Sequence, residues 1–91
     1  MSEVKNLLVL GRRNHTEAMR VAAGLTIFGH SVRLVFMTGP VEESAENAEQ
    51  AELLELSDIT PQTTVPNTEL DHVNPAELAM AMVEADAVIN I

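Results

Sequence analysis

NLLVLGRRNHTEAMRVAAGLTIFGHSVRLVFM, residues 6–37, is the stretch that decides the fold. Asn6-Leu7-Leu8-Val9-Leu10 is a short unbroken apolar run, the pattern of a strand buried on both faces. Gly11-Arg12-Arg13-Asn14 breaks it as a turn. Asn14 followed by Glu17 has the spacing of a capping box, which predicts a helix from that point to about Phe28. Gly29 then supplies the left-handed residue that closes a helix. Ser31-Val32-Arg33-Leu34-Val35-Phe36-Met37 reads as a second strand. A strand, a helix and a strand in this order form a βαβ unit. It places the loop of Arg12, Arg13, Asn14 and His15 at the carboxyl end of a parallel sheet, where α/β folds hold their ligands.

The helix faces carry a second expectation. Ala18, Val21, Ala22, Leu25 and Phe28 form the main apolar face, set to pack on the sheet. Met19, Ala23 and Ile27 form another apolar stripe on a different side. Burial against a neighbouring helix or another subunit would explain that stripe, and a subunit is the favoured reading.

Beyond Thr38-Gly39-Pro40 the chain reads as a helix from Val41 to Leu56. Ala45, Ala48, Ala51 and Leu54 stand at i,i+3 spacing, ready for a close approach to the sheet. Glu42, Glu43, Glu46 and Glu49 cover the other side, and Leu53 falls among them. Pro61 and Pro66 exclude a helix between Ser57 and Val73. Gln62-Thr63-Thr64-Val65 is β-like but too polar for a central strand, so a short strand followed by a loop is predicted. Asn74-Pro75-Ala76-Glu77 opens a last helix with Asn at the N-cap, Pro at N1 and Glu at N3. Leu78, Ala81, Met82 and Ala85 are its expected core face, with Met80 and Val83 apolar elsewhere. Ala87-Val88-Ile89-Asn90-Ile91 is a terminal strand. The pattern predicts one domain over residues 1–91, a Rossmann-like three-layer α/β/α fold. Its sheet would be mainly parallel, of four to five strands, with right-handed crossovers.

Composition excludes several function classes. The 91 residues contain no cysteine, which removes disulfides, thiolate catalysis and Cys-ligated metals. Net charge is −9, all five bases lie at or before Arg33, and twelve of the fourteen acids follow it. A nucleic-acid backbone calls for a basic footprint, so nucleic acid is not an expected partner. Trp and Tyr are absent and Phe occurs twice, a poor supply of platforms for stacking bases or sugars. A chain of this size buries only roughly 60–65% of its unfolded surface, which makes association with further subunits valuable. No apolar run approaches the ~18 residues of a membrane span. Met1-Ser2-Glu3-Val4-Lys5 leads directly into the first strand, so no signal peptide is expected and a cytoplasmic location is the default.

Several stretches together resemble the DsrE/DsrF family, which includes the TusBCD-type sulfur-relay subunits. They are the opening strand with its small polar loop, Glu17-Ala18-Met19-Arg20-Val21-Ala22-Ala23-Gly24-Leu25, and Gly29-His30-Ser31-Val32-Arg33-Leu34-Val35-Phe36. The short closing strand Ala85-Asp86-Ala87-Val88-Ile89 completes the likeness, which spans nearly the whole chain. The resemblance implies a compact DsrE-like α/β domain assembling into trimers or hexamers. Such assemblies are homo-oligomers or combine related subunits, and a small sulfur-carrier protein is an implied partner. Active members carry a persulfide on a cysteine in the loop after the third strand. The matching stretch here, Thr63-Thr64-Val65-Pro66-Asn67-Thr68, has none. A hydroxyl cannot replace a polarizable thiolate as a sulfur carrier, so the family's chemistry does not carry over.

Candidate site residues gather at one predicted edge. Arg12, Arg13 and the amides that open the first helix could hold an anion, since a helix N-terminus favours negative charge and Arg forks onto oxyanions. The same arginines could equally be solvated or pair with the many acids. Asn14 caps the helix, and His15 beside it could hydrogen-bond a ligand. Thr38 and the threonine-rich loop Thr60–Thr68, with Thr63 and Thr64 foremost, would lie at that edge if the third strand is parallel. Threonine hydroxyls near arginines suit binding better than covalent chemistry, and no base–nucleophile constellation is visible. His30 is expected to be structural. Asp71-His72 matches no standard metal-ligand spacing, so neither metal nor cofactor is expected. Two functions follow. One is a non-catalytic DsrE-like binding or scaffold subunit, within a sulfur-relay or related assembly. The other is a binding protein or enzyme for a small phosphorylated or carboxylated molecule at the carboxyl edge.

Overall fold

A computed structural model describes residues 5–39, 44–65 and 70–91. The elements are β1 (Asn6–Gly11), α1 (His15–Ile27), β2 (Ser31–Phe36), α2 (Ala45–Leu56), β3 (Gln62–Thr63), β4 (Asp71–His72), α3 (Pro75–Glu84) and β5 (Ala87–Asn90). The five strands form one all-parallel sheet in the order β4-β3-β2-β1-β5. The chain steps outward from β1 through β2 and β3 to β4, then returns across the sheet to β5. Right-handed crossovers turn a reversal of direction into a change of face. Hence α1 and α2 share one face and α3 covers the other.

β1 is an interior strand, with Asn6 to Gly11 opposite Ser31 to Phe36 on one side and Leu7 to Leu10 opposite Ala87 to Asn90 on the other. This explains its unbroken apolar run, because alternate residues feed two separate cores. Val9, Leu34 and Phe36 pack with Ala18, Met19, Ala22 and Ala23 of α1 and with Leu54 and Ile59. Leu8, Leu10 and Val35 pack with Ala81, flanked by Leu78, Ala85 and Val88. Each fully buried Leu, Val or Phe contributes about 1.5–3 kcal/mol of transfer free energy.

Both helices on the first face stop by the same backbone device. In α1 the Gly29 amide donates to Thr26 O (2.9 Å) and the His30 amide to Leu25 O (3.3 Å), with Gly29 at φ +91°. In α2 the Asp58 amide donates to Glu55 O (3.1 Å) and the Ile59 amide to Leu54 O (2.9 Å), with Asp58 at φ +58°. These are paired Schellman closures, and Ile59 meets Leu54 in the core as that motif favours. Gly29 thus fills the predicted role, while Asp58 does the same work without a glycine signal.

The helix faces differ from the sequence reading in three places. Met19 and Ala23, read as a stripe awaiting a subunit, are buried within the chain, because α2 packs on that flank of α1. Ile27 and Phe28 lie past the end of that contact, 75% and 79% exposed. In α2 the inward residues are Asn47, Gln50 and Leu54, while Ala45, Ala48 and Ala51 are exposed. α2 leans on α1 rather than lying flat on the sheet, and the Thr16 hydroxyl donates to Asn47 Oδ1 across that junction. The helix is rotated so that this amide, not the alanines, faces inward. The predicted start of α2 at Val41 lies outside the described residues, and its N-cap is Ser44.

In α3 Ala81 is buried and Leu78 and Ala85 half-buried, but Met82 turns outward with Met80 and Val83. The predicted capping box of Asn74 and Glu77 is present in full, with Pro75 in the first turn. At α1 only half of one forms. The Asn14 side chain accepts from the Glu17 amide (3.0 Å), whereas the Glu17 carboxylate pairs with Arg20 instead of reaching back. The stretch predicted as a loop after the short strand holds β4, which pairs with β3 through Gln62 opposite Asp71 and Thr63 opposite His72.

Candidate functional site

The strand order reverses at β1: its chain continues to β2 on one side, and β5 lies on the other. In open parallel sheets the crevice beyond the carboxyl ends at such a reversal is the usual ligand position. The edge here is built from the ends of β1, β2, β3 and β5.

β1 ends at Gly11, which is buried because nothing larger fits. A Cβ there would stand 3.0 Å from Phe36 Cδ1 and 3.2 Å from Ala18 Cβ. The next amides turn back over the sheet. The Arg12 and Arg13 amides donate to the carbonyl oxygen of Ile91 at 3.0 and 2.9 Å, and the Asn14 amide more weakly at 3.5 Å. The Ile91 amide in turn donates to Leu10 O at 2.9 Å, so the end of β5 is clamped across the end of β1. A concave run of amides of this kind favours an anion. In this molecule a backbone oxygen of the chain itself fills it.

The other candidate side chains are engaged in the same way. His15 is half-buried; its Nε2–H donates to the Met37 carbonyl (3.0 Å), and its ring meets Phe36 edge-on at 5.0 Å and 62°. It fastens the first turn of α1 to the end of β2. Thr38 follows at φ +74°, an unusual conformation for a β-branched residue, and its hydroxyl donates to Arg12 O at 2.8 Å. The Thr63 hydroxyl is buried, donating to Phe36 O (3.2 Å) and accepting from the Val65 amide (3.0 Å). Thr64 is half-buried, and its amide also donates to Phe36 O (3.0 Å). Asn14 caps α1.

Arg12, Arg13, Asn14, His15, Thr38, Thr63 and Thr64 therefore do gather at one edge. Thr60 does not; it precedes β3 and lies toward the opposite end of that strand. Pro66, Asn67 and Thr68 lie outside the described residues. Arg12 and Arg13 are exposed, and among the described residues their guanidinium groups make no ion pair. Glu17, in the first turn of α1, has its carboxyl held below the usual carboxylate range by the hydrogen bond from Arg20. His30 accepts a hydrogen bond from the Lys5 amide at 3.2 Å, away from this edge, and His72 is exposed on β4. Among the described residues no group of three or more His, Asp or Glu side chains is disposed to hold a metal ion. Nor does any hydroxyl among them hydrogen-bond to a histidine or a carboxylate, the pairing that activates a nucleophile.

Sequence reasoning missed the clamp of Ile91 on the Arg12 and Arg13 amides. Backbone acceptors carry no residue signature, and only the placement of β5 beside β1 brings that carbonyl into reach. No protein-family model, curated protein or solved structure matches the chain. No helix of the described residues is long and apolar enough to cross a membrane.

Proposed function

We propose that the chain is a non-catalytic binding or scaffold subunit of DsrE-like type, working in the cytoplasm within a sulfur-relay or related assembly. One observation carries this reading. At the edge where an α/β domain would place its chemistry, the Arg12 and Arg13 amides and the His15, Thr38 and Thr63 side chains are committed to joining the ends of β1, β2, β3 and β5. With no cysteine in the chain, that edge has no sulfur carrier.

Assembly is supported by the apolar surface left over. Ile27, Phe28, Leu56 and Val83 are each at least 75% exposed, and Met80 is 59% exposed. Helices that run antiparallel to a parallel sheet all end near the amino-terminal ends of its strands, so Ile27, Phe28, Leu56 and Val83 stand toward one end of the molecule. Scattered apolar residues are ordinary on a surface, but several at one end suit burial against another subunit.

A second reading rests on the two exposed arginines, which make no ion pair among the described residues and leave room for an anionic small molecule at the β1 loop. Native mass spectrometry of the protein isolated gently from its own cells separates the two. A complex with itself or with another small protein, retained when Arg12 and Arg13 are both replaced by Ala, supports the subunit reading. A monomer carrying a small anionic mass that the double variant loses overturns it.

A further inference from the structure

We infer that the cleft at the amino-terminal end of the sheet, remote from the edge just described, binds a small aliphatic amino carboxylate. In this pose the ligand's carboxylate meets Arg33 and its ammonium group meets the end of α3 at Glu84. The cleft has a volume of about 310 Å³ and lies between the start of β1 and β2 and the last turn of α3. That is the lower end of the size range of small-molecule sites.

Its two walls have opposite character. On the β2 wall stand Ser31 and Arg33, and Arg33 is half-buried as a residue. Nε of Arg33 donates to Gln62 Oε1 at 2.6 Å, which fixes the plane of the group and leaves both terminal nitrogens available as a fork. In a chain with fourteen acids, this guanidinium has a neutral amide as its partner and makes no ion pair among the described residues. A cation on a half-buried residue, with no counter-charge among the described residues, is a receptor for a carboxylate.

The α3 wall is negative. Its last turn contains no basic residue, and the helix ends there with its carbonyl oxygens pointing out of the final turn. Glu84 adds a full charge beside those carbonyls. The nearby Asp86 is already committed, since its Oδ2 accepts from the Asn6 amide at 2.7 Å. Among the described residues the Glu84 carboxylate makes no ion pair. Leu8, Ala81 and Ala85 line the cleft between the two walls and provide an apolar bed for a short aliphatic chain. A cation on one side, an anion on the other and small apolar residues between them match a zwitterion with a branched or linear alkyl body.

The test uses the 91-residue chain, labelled with ¹⁵N, and free L-leucine as the probe. Two truncated probes accompany it: 4-methylpentanoate, which lacks the amine, and 3-methylbutylamine, which lacks the carboxylate. Leucine is expected to give saturable shifts confined to residues 6–8, 31–33 and 81–86, with each truncated probe weaker by about tenfold or more. Arg33→Met should weaken leucine by roughly 10- to 100-fold, the range for losing a hydrogen-bonded charge. Glu84→Gln, at an exposed position that the fold does not need, should weaken it by about tenfold and decides the matter if Arg33→Met fails to fold. Absence of saturable shifts with leucine would overturn the inference. Equal binding of leucine and either truncated probe, or unchanged affinity in Glu84→Gln, would overturn it as well.

Discussion

Adding one methyl group at Gly11 tests how tightly the end of β1 is built into the edge. In Gly11→Ala the new Cβ would stand 3.0 Å from Phe36 Cδ1, 3.2 Å from Ala18 Cβ and 3.5 Å from His15 Cδ2. None of the three can retreat freely. Phe36 is 2% exposed and Ala18 fully buried, while His15 is tied to the Met37 carbonyl. The mechanism is overpacking and not backbone strain, since φ at Gly11 is not positive. Overpacking of this kind costs about 1–3 kcal/mol. For a domain of this size that corresponds to a fall in Tm of roughly 5–20 °C. Gly24→Ala is the internal control, because a Cβ at Gly24 in α1 meets nothing within 4 Å. That change should stabilise by about 0.5–1 kcal/mol through helix propensity alone. Thermal unfolding followed by circular dichroism reads both. A Gly11→Ala protein that melts within a degree or two of the parent would refute the close packing of Gly11, Ala18 and Phe36.

Further outcomes follow from the same geometry. Leu54→Ala should cost about 2–5 kcal/mol in urea unfolding, because Leu54 joins α2 to the core and supports the Schellman contact with Ile59. Ala51→Ser, on the exposed side, should stay within about 0.5 kcal/mol of the parent. Asn74→Ala removes a complete capping box and should cost about 1 kcal/mol in the same assay. Glu17 should titrate below the usual carboxylate range in a carboxyl-detected NMR pH series, and Arg20→Gln should return it to that range. The sign follows from the depressed pKa. The pair's contribution is complete above the ordinary carboxylate range and is lost as pH falls through the lowered value. Both groups are exposed, so added salt should weaken the effect.

Much of the architecture was legible because backbone signals and burial patterns agreed. Leu7-Leu8-Val9-Leu10 is apolar at every position and became an interior strand, with one core on each face. Asn14, Gly29, Asn74 and Pro75 mark helix ends by local chemistry, and each does so in the structure. The orientation of α2 was not legible, because its composition offers two competing inward faces. Ala45, Ala48 and Ala51 follow helical spacing, yet the Thr16–Asn47 hydrogen bond and the burial of Leu54 select the other one. For the same reason Met19 and Ala23 read as surplus apolar residues: the helix that covers them is distant in sequence. β4 escaped notice since Asp71 and His72 have low strand propensity, and only pairing with β3 makes them a strand.

The candidate edge was legible as a place and not as a state. The βαβ reading was enough to bring Arg12, Arg13, His15, Thr38, Thr63 and Thr64 to adjacent strand ends. What those groups do there depends on backbone oxygens of Met37, Arg12, Phe36 and Ile91, which no residue pattern reveals.

The most direct measurement is a titration of the ¹⁵N-labelled protein with inorganic phosphate, following the amides of Arg12, Arg13 and Asn14. If those amides are held by Ile91 and the edge serves the fold, their resonances will show only small, unsaturated, salt-like drift. Saturable shifts at millimolar phosphate or below, lost in the Arg12→Ala/Arg13→Ala variant, would instead mean that an anion displaces the clamp and that the edge is a ligand site.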